Sequence, residues 1–343
     1  MKIGILTGGG DCPGLNPAIR GFVMKAIDYG YEVYGIREGW RGLVKPIIDD
    51  KPLTVADVEE IIYRGGTILR SSRTNPYKDP AQLEAVMKNI KEYGFDCIAA
   101  LGGEDTLGVA SKLWKDGVPT VGIPKTMDND LSETDYTFGF DTSVNVDTDA
   151  VDRLRDTARS HMRIIVLEVM GRHAGWVALH TGIAGGADYI TLPEIPLDLD
   201  DMMTHLKSAY GRKQYGIVVA SEGTELPSVG DDEKKLDAFG HVILSDRNVG
   251  DYLATEIEKR TGIETRSAVT GHIQRGGAPT PFDRVLASRL GIRAAQCVYE
   301  KDFGKMVAIR GTDIVPVPID KATGTLKTVP LELYESLKPL FNK

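Results

Sequence analysis

Three short segments of the sequence combine glycine with residues that can bind phosphate, hold a metal ion or accept a proton. The first, residues 7–14, reads TGGGDCPG, and its adjacent glycines allow backbone N–H groups to approach a phosphate closely. It is not a dinucleotide-binding fingerprint, because Pro13 stands where a third glycine is required. The sequence also has no GxxxxGKS or GxxxxGKT phosphate loop. A tight turn between a strand and a helix would use the same residues, so this segment alone leaves both interpretations open.

The second segment, residues 102–106, reads GGEDT and places two adjacent carboxylates after a pair of glycines. Magnesium beside substrate phosphates takes carboxylate oxygens as ligands, so Glu104 and Asp105 suit a metal or donor site. The alternative is that Asp105 caps the amino end of a helix, a position that also favours an acidic residue. The residue types favour neither interpretation.

The third segment, residues 124–130, reads PKTMDND and contains a lysine, a hydroxyl and two carboxylates. A lysine such as Lys125 can neutralise a phosphoryl group during its transfer, and an aspartate can accept a proton from a sugar hydroxyl. A solvated acidic loop is the alternative. The density of reactive groups favours a phosphoryl-transfer site.

Several arginines lie near the ends of predicted strands in a chain that is acidic overall. Guanidinium groups gathered there favour recognition of an anion, because their fork matches phosphate geometry. Each of them alone is better explained by a surface ion pair, whereas the set together is not. The set comprises Arg70, Arg73, Arg163, Arg172, Arg266 and Arg275, with His272 beside the last of them.

The elements that must position these loops alternate between apolar strands and amphipathic helices along most of the chain. Such alternation predicts parallel, doubly wound sheets, which bind ligands at the carboxyl ends of their strands. The informative loops all follow predicted strands. Strands are predicted at 2–7, 32–36, 96–101, 118–123, 163–169, 215–221 and 305–311, and helices at 16–29, 80–94, 106–115, 200–210 and 246–259.

Length and composition exclude several classes of protein. The chain has 343 residues and a formal net charge of −8, which suggests about two domains and argues against a general binder of nucleic acid or anionic membranes. The 3 cysteines form no CxxC pair, which fits a reducing compartment. The first residues resemble neither a signal peptide nor a membrane span. We therefore expect a cytoplasmic globular protein.

Six ordered motifs, GGGDCPGLN, GGEDT, PKTMDND, MGRHAGW, SEG and GHIQRGG, resemble those of the phosphofructokinase family. The resemblance runs from about residue 2 to residue 310. It implies an α/β fold with two similar Rossmann-like, doubly wound domains and the active site in the cleft between them. The implied donor domain is 1–139 plus 276–325, the fructose 6-phosphate domain is 140–275, and 326–343 is a C-terminal helix.

The resemblance also implies roles for individual residues in transfer to fructose 6-phosphate, a step of glycolysis and gluconeogenesis. Asp128 is the implied base, and Thr126 flanks the sugar. Glu104 and Asp130 are implied to hold Mg²⁺. The donor side comprises Gly10, Gly103, Thr106, Asp105, Lys125 and Arg73.

The sugar side of the implied site comprises residues of three later motifs and two arginines from elsewhere. The family assembles as homodimers or tetramers, and Arg163 and Arg266 are implied to reach the 6-phosphate of a neighbouring subunit. His272 and Arg275 are implied to bind the same phosphate within the chain. The implied contacts to fructose are Met170, Gly171, Arg172 and Glu222.

The pair Asp105 and Lys125 resembles the pyrophosphate-dependent branch of the family, because members that use ATP usually have glycine after the acidic residue of the second loop. A carboxylate at 105 would repel the α-phosphate of ATP by roughly 4 kcal/mol at 4 Å and an effective dielectric constant near 20. We therefore expect reversible transfer from pyrophosphate. The alternatives are an ATP-dependent enzyme, a non-catalytic sugar-phosphate-binding regulator and a nicotinamide dehydrogenase, the last disfavoured by the missing fingerprint.

Overall fold

The structure, a computed structural model, describes residues 1–227 and 247–341. Strands and helices alternate through both ranges. In chain order they are β1 (Lys2–Thr7), α1 (Leu15–Asp28), β2 (Glu32–Ile36), α2 (Arg41–Val44), α3 (Val55–Val58), α4 (Pro80–Tyr93), β3 (Cys97–Gly102), α5 (Glu104–Lys115), β4 (Thr120–Pro124), α6 (Phe140–His161), β5 (Ile164–Val169), α7 (Trp176–Ala184), β6 (Tyr189–Thr191), α8 (Leu199–Lys213), β7 (Gly216–Ser221), α9 (Val249–Thr261), β8 (Thr265–Val269), α10 (Pro281–Glu300), β9 (Lys305–Arg310), β10 (Asp313–Pro318), α11 (Ile319–Ala322) and α12 (Leu331–Leu337).

The first compact unit contains residues 1–127, 131–141 and 275–326. Its sheet has the strand order β10-β9-β4-β3-β1-β2, and all pairs are parallel except β10 with β9. Strands β3 and β4 are buried along their whole length, as expected when helices cover both faces of a parallel sheet. One apolar cluster includes side chains of β1, β3, α5 and β9.

The second compact unit contains residues 128–130, 142–274 and the residues from Lys327 onward. Its sheet has the order β6-β7-β5-β8, and every pair of neighbouring strands is parallel. A separate apolar cluster includes side chains of β5, β7, α8 and α9. Each unit thus has its own sheet and its own core, and the α/β class with Rossmann-like topology is confirmed.

Local sequence signals account for the helix boundaries that were predicted most closely. Helix α4 begins at Pro80, whose fixed φ suits the first turn, and the Asp79 side chain accepts a hydrogen bond from the Ala81 N–H at 3.0 Å. It ends at Gly94, which adopts a φ of 66° that glycine tolerates without strain. The predicted strands all form, with ends shifted by one or two residues.

Four helix predictions need correction. The helix predicted at 200–210 ends three residues later, at Lys213. The helix predicted at 106–115 starts two residues earlier, at Glu104, with Gly103 at its N-cap. The predicted helix 246–259 runs from Val249 to Thr261, and residue 246 lies outside the described residues.

The predicted C-terminal helix over 326–343 is wrong in extent. Helix α12 covers only Leu331–Leu337 and is followed by a 3₁₀ turn at Lys338–Leu340. Pro330 precedes the helix and Pro339 lies just after it, and proline can neither continue a preceding helix nor donate a backbone hydrogen bond.

None of the helices that the structure describes is long and apolar enough to cross a membrane.

Candidate active site

The three chemical loops of the first unit follow strands that are neighbours in its sheet. Strand β3 pairs in parallel with both β1 and β4, so the segments after these strands emerge at one edge. The connections after β1 and β3 lead to opposite sides of the sheet, which makes the carboxyl ends of β1 and β3 a topological switch point. Ligands bind at such points in open parallel sheets. The predicted donor residues therefore lie where this fold class binds ligands.

The first glycine loop is held by backbone contacts. The Gly8 N–H donates to the Leu101 carbonyl at 2.9 Å, and the Gly9 N–H donates to the Ser72 carbonyl at 3.1 Å. The Ser71 hydroxyl donates back to the Gly9 carbonyl at 2.5 Å. Residues 70–73, with the sequence RSSR, are thus bound to the glycine loop. Arg73, the last residue of this segment, has an exposed side chain.

Lys125 joins the third loop to the first. Its side chain is only 4% exposed, its Nζ donates to the Gly10 carbonyl, and its backbone N–H donates to the Gly102 carbonyl at 3.0 Å. A Cβ atom at Gly9 would lie 3.5 Å from the same Nζ. The structure therefore brings together Lys125 and the glycines that the sequence predicted to contact donor phosphates.

Arg275 contacts the same glycine loop, which the sequence did not predict. Its Nη1 donates to the Asp11 carbonyl at 3.1 Å and would lie 2.6 Å from a Cβ atom at Gly10. The predicted role of Arg275 in binding the sugar 6-phosphate stays a prediction. His272, its predicted partner, has an exposed side chain in the 3₁₀ turn Gly271–Arg275 of the sequence GHIQR.

The two carboxylates of the second loop lie in the first turn of α5. Because Gly103 is the N-cap, Asp105 is the second residue of the helix and does not cap it. Glu104 and Asp105 are half-buried there, and negative charge is favourable at a helix amino end. Thr106 is buried, and its hydroxyl fills the space beside Gly8. The capping alternative for Asp105 is therefore excluded.

In the second unit, three predicted loops follow β5, β7 and β8. Glu222 follows β7, and its Oε1 accepts hydrogen bonds from the backbone N–H groups of Gly171 at 3.2 Å and Arg172 at 3.0 Å. Arg172 has a φ of 54°, in the left-handed region. A Cβ atom at Gly223 would lie 2.0 Å from the Arg172 carbonyl oxygen, so only glycine permits this approach. The MGR loop, residues 170–172, and the SEG loop, residues 221–223, are therefore held together by these hydrogen bonds and this close approach.

Asp128 lies near this pair of loops. It is 5% exposed, and its negative charge contributes to raising the pKa of Glu222 above the ordinary value, although burial of the Glu222 carboxyl is the larger cause. The N–H groups of Arg172 and Gly171 oppose that shift. Thr126, two residues earlier, is buried, and its carbonyl accepts from the Thr137 hydroxyl at 2.6 Å. The predicted base and the predicted sugar contacts of the second unit are therefore neighbours.

Gln274 is a site residue that sequence reasoning missed. It is fully buried, and its Oε1 accepts from the Met170 N–H at 2.7 Å and from the Thr270 hydroxyl at 2.9 Å. Its Nε2 donates to the Ser143 hydroxyl at 2.9 Å. It therefore fixes the start of the MGR loop. Its presence inside the GHIQRGG motif was the only available signal.

Arg163 and Arg266 are not brought to these loops. They lie at the amino ends of β5 and β8, where Glu264 pairs with Arg163 at 2.9 Å and with Arg266 at 2.6 Å. The MGR loop follows the opposite end of β5, six residues away along the strand, which corresponds to roughly 20 Å. Within this unit, the two arginines and the predicted sugar contacts occupy opposite edges of the sheet.

Among the described residues, no group of three or more histidine, cysteine, aspartate or glutamate side chains is arranged to hold a metal ion. Magnesium commonly binds through one or two carboxylates together with substrate phosphates, so it does not require such a group. Glu104 and Asp130 provide carboxylate oxygens, which are the hard ligands that Mg²⁺ prefers. The chemistry of this donor set fits magnesium.

Parallel sheets with phosphate-type glycine loops, a buried lysine and carboxylates in the segments that follow the strands define an α/β protein built for phosphoryl transfer. The family model described as Phosphofructokinase matches residues 2–298, and the chain belongs to that family.

Individual relatives are similar over nearly their whole length. The chain is 52% identical over 347 residues to a Dictyoglomus thermophilum protein named pyrophosphate–fructose 6-phosphate 1-phosphotransferase, covering 100% of this chain and 99% of that protein. It is 45% identical over 350 residues to a Corynebacterium efficiens protein named ATP-dependent 6-phosphofructokinase, covering 99% of each.

Among solved structures, a pyrophosphate-dependent phosphofructokinase from Nitrosospira multiformis superposes with a TM-score of 0.85 at 22% identity, covering 100% of this chain and 92% of that one. This likeness supports the fold alone.

Proposed function

We propose that this protein is a pyrophosphate-dependent 6-phosphofructokinase. It transfers a phosphoryl group from pyrophosphate to O1 of fructose 6-phosphate, giving fructose 1,6-bisphosphate and phosphate, and the reaction is reversible. The observation that carries the proposal is the position of Lys125, buried and bonded to the Gly10 carbonyl at the switch point of the first sheet. Its positive charge lies where a donor without a nucleoside would need it.

The donor preference follows from Asp105. Its carboxylate lies in the first turn of α5, directly after the second glycine loop. An α-phosphate about 4 Å away would be repelled by roughly 4 kcal/mol at an effective dielectric constant near 20, a factor of about 1,000 in ATP use. Pyrophosphate has no third phosphate and escapes this penalty.

The remaining groups divide the chemistry between them. Asp128 accepts the proton of the sugar 1-hydroxyl, while Lys125 and Arg73 stabilise negative charge on the phosphoryl group as it moves. Glu222 holds the backbone of Gly171 and Arg172 in the conformation that binds fructose. Precise positioning of the two substrates supplies much of the rate enhancement in such reactions.

Magnesium is the proposed cofactor, with Glu104 and Asp130 as its protein ligands. When bound, it neutralises charge on the phosphate oxygens of the donor. In the proposed division of the chain, residues 1–139 and 276–325 bind the donor and magnesium, and residues 140–275 bind the sugar phosphate.

We propose a homo-oligomer, dimer or tetramer, in which Arg163 and Arg266 reach the 6-phosphate in a neighbouring subunit. Their separation from the loops of their own unit supports this, since neither arginine can serve the sugar site at the other end of β5. Mixing Arg266→Ala and Asp128→Ala chains should restore part of the activity in hybrid oligomers. Hybrids that form without regaining activity would contradict the shared site.

The cytoplasm is the proposed location, since all three cysteines are free and buried as thiols. Burial raises the pKa of Cys12 to about 12, which keeps that thiol protonated and unreactive.

A donor panel tests the function directly. Pyrophosphate, ATP and polyphosphate are each assayed with fructose 6-phosphate and magnesium, in both directions where possible. We expect kcat/KM for pyrophosphate to exceed that for ATP by about two to three orders of magnitude. A preference for ATP would support the ATP-dependent alternative, and binding of the sugar phosphate without turnover would indicate a regulator.

A further inference from the structure

Lys327 contacts residues 128–130, which we call the acidic loop, although it lies about two hundred residues later in the chain. Its Nζ donates to the Asn129 Oδ1 at 3.1 Å, and its backbone N–H donates to the Asp130 carbonyl at 2.8 Å. Both contacts lie within the second unit, which contains residues 128–130 and the residues from Lys327 onward. One residue therefore holds the loop at two successive positions.

The residue that Lys327 holds has an uncommon backbone conformation. Asn129 has a φ of 53°, in the left-handed region that few residues other than glycine adopt. Its side chain is 2% exposed, and a buried amide oxygen requires a hydrogen-bond donor. Asn129 also lies between Asp128, the proposed base, and Asp130, the proposed magnesium ligand. A rotation of its backbone would turn both carboxylates.

Lys327 is itself fixed by a segment that we call the C-terminal strap, residues 327–341. The Trp176 Nε1–H donates to the Lys327 carbonyl at 2.8 Å, and the Lys327 ammonium lies 5.4 Å from the centre of the Trp176 ring. Further along, the Val329 N–H donates to Glu194 at 2.8 Å. The Tyr334 hydroxyl donates to the Ile190 carbonyl at 3.2 Å. The strap thus has anchors that do not involve the acidic loop.

The charge of Lys327 acts locally in this region. The pKa of His180 is lowered, first by burial of the imidazole and then by the neighbouring Lys327 charge.

We propose that Lys327 is a positioning residue for phosphoryl transfer, which holds Asn129 in its left-handed conformation and thereby orients the carboxylates of Asp128 and Asp130. The inference rests on the proposed function, because it assigns Lys327 to that reaction. The inference concerns the conformation of the acidic loop and not the identity of the phosphoryl donor.

Kinetics of two variants separate positioning from general stability. Lys327→Met keeps most of the aliphatic side chain and removes the ammonium group, whereas Tyr334→Phe removes another anchor of the strap. We expect Lys327→Met to lower kcat by about 10- to 100-fold with KM values within about 3-fold, because a displacement near 1 Å can cost that much. Tyr334→Phe should lower Tm by about as much as Lys327→Met does, but it should keep kcat within about 2-fold of the wild type. Equal losses of kcat in both variants, or wild-type kcat in Lys327→Met, would overturn the proposal.

Rescue by a conservative variant provides a readout that a loss of general stability would not give. Lys327→Arg keeps the positive charge and the hydrogen-bond donors, so it should recover kcat to within about 3-fold of the wild type, whereas Lys327→Met should not. A kcat in Lys327→Arg as low as that of Lys327→Met would contradict the proposed positioning of the loop.

Failure of the proposed function is distinguishable from failure of this inference. Each variant is compared with the wild type using both pyrophosphate and ATP. A wild type that prefers ATP would refute the proposed donor, and the role of Lys327 would still be decided by the variants. A crystal structure of Lys327→Met supplies an answer independent of activity. We expect Asn129 to leave its left-handed conformation or its side chain to turn, and an unmoved loop 128–130 would overturn the proposal.

Discussion

The loops of the first unit and those of the second are fixed by different kinds of contact. The carbonyl groups of the glycine loop after β1 accept hydrogen bonds from the side chains of Ser71, Lys125 and Arg275. In the second unit, the side-chain oxygens of Glu222 and Gln274 instead accept from backbone N–H groups of the MGR loop. Side chains that donate therefore fix the proposed phosphate loop, whereas side chains that accept fix the proposed sugar loop.

This difference suggests which measurable quantity each unit controls. Variants in the loops of the first unit should change kcat/KM for the phosphoryl donor, since the charged groups of these loops are the proposed donor contacts. Variants of the side chains that hold the second unit's loops should change the KM for fructose 6-phosphate. The segment PKTMDND belongs to both units, because residues up to 127 are part of the first and residues 128–130 part of the second.

The largest effect is expected at Asp128, where the chemistry itself is tested. Asp128→Asn keeps the shape of the side chain and removes the base, so kcat should fall by roughly 10²–10⁴. The KM for either substrate should change little, because neither glycine loop nor the MGR loop is altered. Steady-state kinetics with purified enzyme check this, and near-normal turnover would show that another group accepts the proton.

Much of the first unit's site could be predicted because its signals are local. Glycines, an acidic pair and a lysine directly follow apolar strands, and parallel strands bring their carboxyl ends to one edge. The contact of Arg275 with Gly10 could not be predicted, because it joins positions 265 residues apart that the sequence does not relate.

The positioning residues of the second unit were missed for a physical reason. Gln274 and Lys327 act through side-chain hydrogen bonds to a backbone N–H group and to a side-chain amide oxygen. Glutamine and lysine are also common on protein surfaces, so the residue type alone does not mark such a role. Only the fold shows that Gln274 is fully buried and that the strap returns to the acidic loop. The helix start at Glu104 was missed because glycine is a less common N-cap than aspartate.

The next largest effect tests the donor preference of the first unit. Asp105→Gly removes the carboxylate that should repel ATP, so the ratio of ATP to pyrophosphate kcat/KM should rise by up to about 10³. Asp105→Asn, which keeps the size of the side chain and removes its charge, should raise the ratio by a similar factor if charge repulsion sets the preference. Assays with both donors provide the measurement.

Because Gly103 is the N-cap of α5, loss of a cap cannot account for a change in that ratio. Lys125→Gly added to Asp105→Gly should depress pyrophosphate turnover further, since a charge partner of the transition state is lost. A ratio that stays flat in Asp105→Gly would refute the repulsion argument and leave the family assignment intact.

A smaller effect is expected at Gln274, which tests whether the second unit's loops depend on single side chains. Gln274→Ala leaves the half-buried Met170 N–H without its acceptor, at a cost of about 1 kcal/mol or more. We expect the KM for fructose 6-phosphate to rise about 10-fold or more and the KM for pyrophosphate to stay within about 2-fold. Ser143→Ala removes only the outer partner and should change the first KM by less than about 3-fold. Equal increases in both KM values would contradict the claim that the second unit's loops affect only the KM for fructose 6-phosphate.

The smallest effect on the kinetics is expected at Asp147, a fully buried residue of α6 in the second unit. Burial raises the pKa of its carboxyl from 3.8 to about 8, although the Thr270 hydroxyl opposes the shift. Between about pH 4 and pH 8 the folded chain therefore keeps a proton that the unfolded chain releases, so the free energy of unfolding falls as the pH rises. Above about pH 8 both states are ionised and this decline stops.

Asp147→Asn cannot ionise, so its stability relative to the wild type should increase with pH through that window and then level off. Urea unfolding at several pH values from 5 to 9 gives the difference, with Asp149→Asn, on the same helix but exposed, as the control that should show no such slope. Since Thr270 also donates to Gln274 at 2.9 Å, an ionised Asp147 should disturb the contact that fixes Met170. The KM for fructose 6-phosphate should accordingly rise above pH 8 in the wild type more than in Asp147→Asn. A stability difference that is constant with pH would show that Asp147 is already ionised at neutral pH, and the second unit's loops would then owe nothing to its protonation.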